Sequence, residues 1–199
     1  MNLRSAVALL AAAICTAPCL AGPESLPAPA YGADGKLPMP ADYRQWTFLT
    51  SSLDMSYNRT GEPDMHLFDN VFVQPQAYRS FLDSGTWPEH TVLVKEVRGA
   101  STRGSINRRG KFQTPQLVEL EIHVKDEARF ADGGWGFFVS DGAAPAQQIP
   151  PQADCYACHR AHGAVDNTFV QFYPTLIDLA RSKNTLSAGF RKDEAADAK

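Results

Sequence analysis

"QLVELEIHVKD", residues 116–126, decides the fold. Val118, Leu120, Ile122 and Val124 alternate with Glu119, Glu121, His123 and Lys125. A period of two describes a β-strand with one apolar face and one polar face. Three other short runs rich in Val, Ile and Phe, bounded by Gly, Pro, Asp or Asn, predict further strands: "MHLFDNVFVQ" (65–74), "HTVLVKEVR" (90–98) and "WGFFVSD" (135–141). No alternating β/α pattern joins them, so the sheet is predicted to be antiparallel and the fold class α+β, with a few packed helices.

Three helices are predicted. One spans "DYRQWTFLTSS" (42–52) with Asp42 as its cap, and one spans "QPQAYRSFLDSG" (74–85), with Pro75 at its start and Gly85 at its stop. The third spans "DNTFVQFYPTLIDLARS" (166–182), capped by Asp166 or Asn167 and kinked at Pro174, with Phe169, Phe172, Tyr173, Leu176, Ile177 and Ala180 on one stripe. That stripe reads as core and, coming straight after a cysteine motif, also as a cofactor wall. The tail from Ser187 to Lys199 is polar and is expected to fray.

At the other end, one arginine, an apolar run from Ala6 to Ile14 and small residues up to Ala21 have the form of a secretory signal peptide covering 1–21. The apolar run falls short of the roughly 20 residues a permanent span needs. The mature chain is therefore expected in a bacterial periplasm with no integral membrane segment. Residues 22–41, with five prolines, read as an extended arm. A single domain over 42–186 follows, and then the polar tail 187–199.

The formal net charge of −3 becomes −4 once Arg4 leaves with the signal, which gives no bulk electrostatic reason to bind nucleic acid. The basic cluster Arg98, Arg103, Arg108, Arg109 and Lys111 is predicted to be a solvated hairpin loop.

Of the four cysteines, Cys15 and Cys19 lie in the signal, leaving Cys155 and Cys158 in "ADCYACHRAHG" (153–163). A disulfide closing so short a loop would stabilise little. A redox dithiol is expected at a helix start after an early strand of a β/α pattern, and a zinc site wants a second ligand pair that no further cysteine supplies. C-x-x-C-H is also the attachment motif of c-type haem, one per chain, with thioether bonds to Cys155 and Cys158 and His159 as iron ligand. Export fits that chemistry.

No methionine follows His159, and His162 lies on the same local turn. Met39, Met55, Met65, His66, His90 and His123 could reach the opposite side of the iron only through the fold. An open distal site for small molecules is the expectation, against a six-coordinate electron carrier.

The segments "YRQW" (43–46), "NVFVQPQAYRSF" (70–81), "WPEHTVLVKEVR" (87–98), "VELEIHVKD" (118–126), "WGFFVS" (135–140) and "CYACHRAHGAVDNTFVQFYP" (155–174) together resemble the cytochrome P-460 family, which includes the β-type cytochromes c′. The resemblance implies an antiparallel sheet, a C-terminal haem motif, five-coordinate iron and often a homodimer. It also implies a choice. Cytochromes P-460 oxidise hydroxylamine with a lysine linked to the haem and a distal carboxylate that moves protons. The β-type cytochromes c′ lack the link, carry aromatic residues over the iron and bind nitric oxide.

Lys95 is the candidate lysine and Glu121 the candidate carboxylate, with Glu119 on the same face and His123 an alternative proton handler. Each could equally be a solvent-facing strand residue. Phe68, Phe72, Phe137 and Phe138 are candidates for an aromatic cap. The partners implied are a small nitrogen-containing ligand or substrate and a periplasmic electron acceptor or donor.

Overall fold

A computed structural model describes residues 25–55 and 65–198. The predicted signal peptide lies outside the described residues. Among the described residues six strands form one antiparallel sheet in chain order: β1 (Thr47–Leu53), β2 (Leu67–Val73), β3 (Val92–Ser101), β4 (Phe112–Lys125), β5 (Trp135–Ser140) and β6 (Gln147–Gln148). Helix α1 (Pro75–Ser84) sits between β2 and β3, and α2 (Asp154–His162), α3 (Ile177–Ser182) and α4 (Ala188–Asp197) follow the sheet. The fold is α+β. Among the described residues no helix is long and apolar enough to cross a membrane.

Alternation along the strands divides the core in two. On one face Val94, Ile122, Val124 and Phe138 pack with Leu37 and Tyr43 of the N-terminal segment. On the other, Val73, Leu93, Trp135 and Phe137 pack with Phe81 of α1, Tyr156 of α2 and Leu176. The first will be called the arm face and the second the helix face.

The 74–85 prediction holds: Pro75 opens α1, and Gly85, at φ 78°, closes it by donating its N–H to the Phe81 carbonyl at 2.7 Å. The predicted helix over 42–52 does not. Asp42 makes no cap, only a 3-10 turn forms at Tyr43–Gln45, and Thr47–Leu53 becomes edge strand β1. Its Thr, Phe and Leu residues gain more from pairing with β2 than a local helix would give them.

The third predicted helix is broken rather than kinked. Tyr173 is extended, as the residue before a proline tends to be, which leaves a 3-10 turn at Val170–Phe172 and the separate α3. The tail does not fray at Ser187. The Ser187 hydroxyl accepts the Phe190 N–H at 3.0 Å and caps α4. A Cβ added at Gly189 would stand 2.1 Å from the Ala161 carbonyl oxygen, so glycine lets α4 lie directly on α2.

Val118 is a further departure, being 37% exposed instead of sharing the core face. Val97 pairs with Glu119 but Arg98 pairs with Leu117, so β4 bulges at Val118 and Leu117 packs on the arm face in its place.

Arg98 also leaves the predicted solvated cluster. Its Nε donates to Glu96 at 2.6 Å and its Nη1 to the Pro115 carbonyl at 2.8 Å, whereas Arg103, Arg108 and Arg109 are exposed in the β3–β4 hairpin.

Candidate haem-binding cavity

A cavity of about 450 Å³ opens between the helix face of the sheet and the chain from α2 to Tyr173. Cys155, Cys158 and His159 all line it, because positions i, i+3 and i+4 share one face of α2. Both thiols are free, and burial raises the pKa of each. A reactive dithiol would have the opposite shift. Nor, among the described residues, do three His, Cys, Asp or Glu side chains converge as a metal-binding group, so a zinc site finds no donor set.

The loop after α2 fixes His159. Asp166 and Asn167 take left-handed conformations, φ 48° and 58°, which Asp and Asn tolerate better than most residues. The Trp87 N–H donates to Asp166 Oδ2 at 2.9 Å, and the Trp87 indole N–H donates to Thr168 Oγ1 at 2.8 Å. The Asn167 carbonyl then meets His159 Nδ1 at 2.8 Å. A carbonyl only accepts, so Nδ1 carries the hydrogen and Nε2 keeps its lone pair. This is the usual second contact of a metal-binding histidine.

Burial also pushes His159 below the usual imidazole range and keeps it neutral at pH 7. Phe169, Phe137 and His123 surround the ring at centroid distances of 4.2, 4.6 and 5.0 Å. Two thiols and an oriented imidazole on one cavity wall fit covalent haem.

The strand wall carries the candidate polar residues. Lys95 and Glu121 are directly opposed on β3 and β4, and Lys95 Nζ lies 2.7 Å from Glu121 Oε1. Asp69 of β2 stands 3.9 Å from the same Nζ and accepts the Ser52 hydroxyl at 3.4 Å. His123 Nε2 is 4.0 Å from Glu121 Oε2. Burial acts to lower the Lys95 pKa, but Glu121 and Asp69 outweigh it and raise it, so Lys95 is a cation. Burial first, then the repulsion a second cation would meet from an imidazolium at His159 and from Lys95, takes His123 well below the ordinary imidazole value, and it is neutral.

The aromatic cap differs from the one predicted. Phe72 and Phe138 pack on the arm face, Phe68 shares the Phe72 side of β2, and Phe137 lies against His159. The aromatic residues lining the cavity are Phe169, Phe172 and Tyr173, part of the stripe that reads in sequence as core.

Of the methionines and histidines considered as second ligands, only Met55 and His123 line the cavity. Met39 packs on the arm face, His66 pairs with Asp54, His90 lies beside Glu89, and Met65 is exposed. His162 pairs with Asp193 of α4 at 2.6 Å. Asp69 was missed, because its contact with Lys95 depends on strand register.

The family model for cytochrome P460 matches residues 40–170, well over half of the chain. The chain belongs to that family, which implies a haem cofactor. The match takes in Asp69, Lys95, Glu121 and the whole cysteine motif and ends before Phe172 and Tyr173. No curated protein matches the chain.

Proposed function

We propose that the protein is an exported, periplasmic monohaem c-type cytochrome that oxidises hydroxylamine or a related small nitrogen species and passes electrons to a periplasmic acceptor. Residues 1–21 are its signal peptide, and it works as a homodimer. Cys155 and Cys158 would hold one haem c per chain by thioether bonds, with His159 Nε2 as the protein ligand to iron. When bound, the haem supplies the redox centre and a coordination site for the nitrogen species.

The observation that carries this reading is the Lys95–Glu121 pair, 2.7 Å apart, on the cavity that the motif also lines. A carboxylate held in place by a cation is a fixed proton acceptor. Glu121 takes a proton leaving the substrate; Lys95 holds its carboxylate at the cavity wall in the haem-free chain and would itself be linked to the haem in the holoprotein. Phe169, Phe172 and Tyr173 restrict water and limit the size of what enters.

The same aromatic lining favours a second reading, a nitric oxide-binding protein without turnover. Three measurements test the choice. Intact mass should equal the chain from about Gly22 plus one haem. Digestion should yield a haem peptide joining the 155–159 segment to a Lys95 fragment. Hydroxylamine with an electron acceptor should turn over, and Lys95→Ala should abolish this while leaving haem attached. Absence of the Lys95 peptide and of turnover favours the gas-binding reading. A six-coordinate resting spectrum lost in Met55→Ala overturns the open site.

A further inference from the structure

Val165 and Thr168 exchange backbone hydrogen bonds at 3.3 and 2.8 Å, so Asp166 and Asn167, both with positive φ, are the corner residues of a tight turn. The carbonyl that meets His159 Nδ1 belongs to the peptide between Asn167 and Thr168. Both ends of that peptide are held by side chains. Asn167 Nδ2 donates to the Gly133 carbonyl at 3.1 Å, while Thr168 Oγ1 donates to the Val165 carbonyl at 2.6 Å and accepts the Trp87 indole N–H at 2.8 Å.

Behind Trp87 stands Lys125, the last residue of β4, with a side chain only 12% exposed. Its Nζ donates to the Trp87 carbonyl at 2.8 Å and lies 3.5 Å from Asp166 Oδ2, the same oxygen that accepts the Trp87 N–H. The three groups close a ring around the Trp87 backbone. Glu127, 3.6 Å from the amine, is largely exposed, so the buried partners of Lys125 are those of the turn. Alternation puts Glu121, His123 and Lys125 on one face of β4.

We propose that Lys125 is a positioning residue for the iron ligand: by clamping Trp87 and Asp166 it holds the Asn167 carbonyl on His159 Nδ1. This rests on the reading of His159 Nε2 as the protein ligand to iron. The hydrogen bond at Nδ1 fixes the ring's orientation and raises the basicity of Nε2, one of the levers by which a protein tunes haem iron. A single strand thus serves the site twice. Glu121 faces the cavity, and Lys125 braces the ligand from behind.

Lys125→Met keeps the stem of the side chain and loses its donors and charge. In the holoprotein the His159 Nδ1 proton, shifted by the iron away from other NMR signals, should exchange with solvent about tenfold faster in this variant, the consequence of losing a charged hydrogen-bond donor. Backbone amides of β4 and β5 should keep their wild-type exchange. Asp166→Gly, which tolerates the positive φ and removes the other half of the clamp, should have the same effect and serves if Lys125→Met does not fold. Unchanged exchange at Nδ1, or acceleration shared equally by the strand amides, overturns the clamp, because a purely structural lysine would loosen everything or nothing. A chain isolated without haem overturns the reading of His159 as iron ligand. The same proton, then followed by ¹⁵N-edited NMR, still decides whether Lys125 holds the Asn167 carbonyl in place, so the two failures are distinguishable.

Discussion

Each face of the sheet buries charge, and the two do so in opposite ways. On the arm face, Glu96 is 2% exposed and meets only donors: the Tyr43 hydroxyl at 2.5 Å, Arg98 Nε at 2.6 Å, and Arg44. Donors there outnumber the single carboxylate, which is satisfied and shut off from solvent. On the helix face Asp69, Glu119 and Glu121 surround the single cation Lys95, beside a cavity. A carboxylate enclosed by donors is structural, whereas carboxylates in excess around one cation can exchange protons. Burial alone therefore does not distinguish a site from a brace, but the ratio of donors to acceptors does.

The largest expected effect lies on the arm face. Arg98→Met leaves Glu96 short of two hydrogen bonds and should cost about 3 kcal/mol of stability, measured by denaturant unfolding of the holoprotein, with the cavity's ligand affinity unchanged. Altered ligand binding at unchanged stability would mean that the two faces are not independent.

Next comes Glu121→Gln, isosteric but unable to take a proton. Hydroxylamine turnover should fall about 100-fold, or about 2.7 kcal/mol in the barrier, while unfolding stability stays near wild type. A loss of stability comparable to that of Arg98→Met would make the cavity pair another brace.

The smallest effect, Asp69→Asn, sharpens the contrast through its sign. Burial raises the Asp69 pKa from 3.8, with Lys95 opposing. The folded state then binds the Asp69 proton more tightly than the unfolded chain. The stability this confers is present below about pH 3.8 and is lost as pH rises through the folded value. Asp69→Asn should be the more stable protein at pH 7 and lose that advantage by pH 3, as thermal melts at the two pH values would register. An asparagine variant that is weaker at pH 7 would place Asp69 with Glu96.

What the sequence revealed follows from how local each signal is. The four runs read as strands became strands, and Pro75 and Gly85 bounded α1, because alternation, β-rich composition and capping are written in neighbouring residues. The Cys155, Cys158 and His159 grouping was legible because one helical turn suffices to build it. Strand β1 was misread because its residues settle on edge pairing with β2, which no local pattern reports. Ser187 to Lys199 looked like a free tail because the partners of its charges, His162 for Asp193 and Arg181 for Glu194, are supplied by other helices. Lys95 and Glu121 were individually conspicuous, but their contact, like that of Asp69, exists only in the correct register. The Val118 bulge was invisible in a run whose alternation is unbroken.

The chain-order sheet has a consequence for assembly. Every strand pairs only with its neighbours in sequence, and the last ends at Gln148, before α2 begins at Asp154. Such a meander keeps contact order low, and closing each hairpin in turn costs little loop entropy. Among the described residues the cysteine segment pairs with no strand, so the hydrogen bonding of the wall bearing Asp69, Lys95 and Glu121 does not wait on residues 154–198. On the proposed reading, haem attachment would then be a docking step onto that surface, with the clasp of α4 over α2 as its final closure.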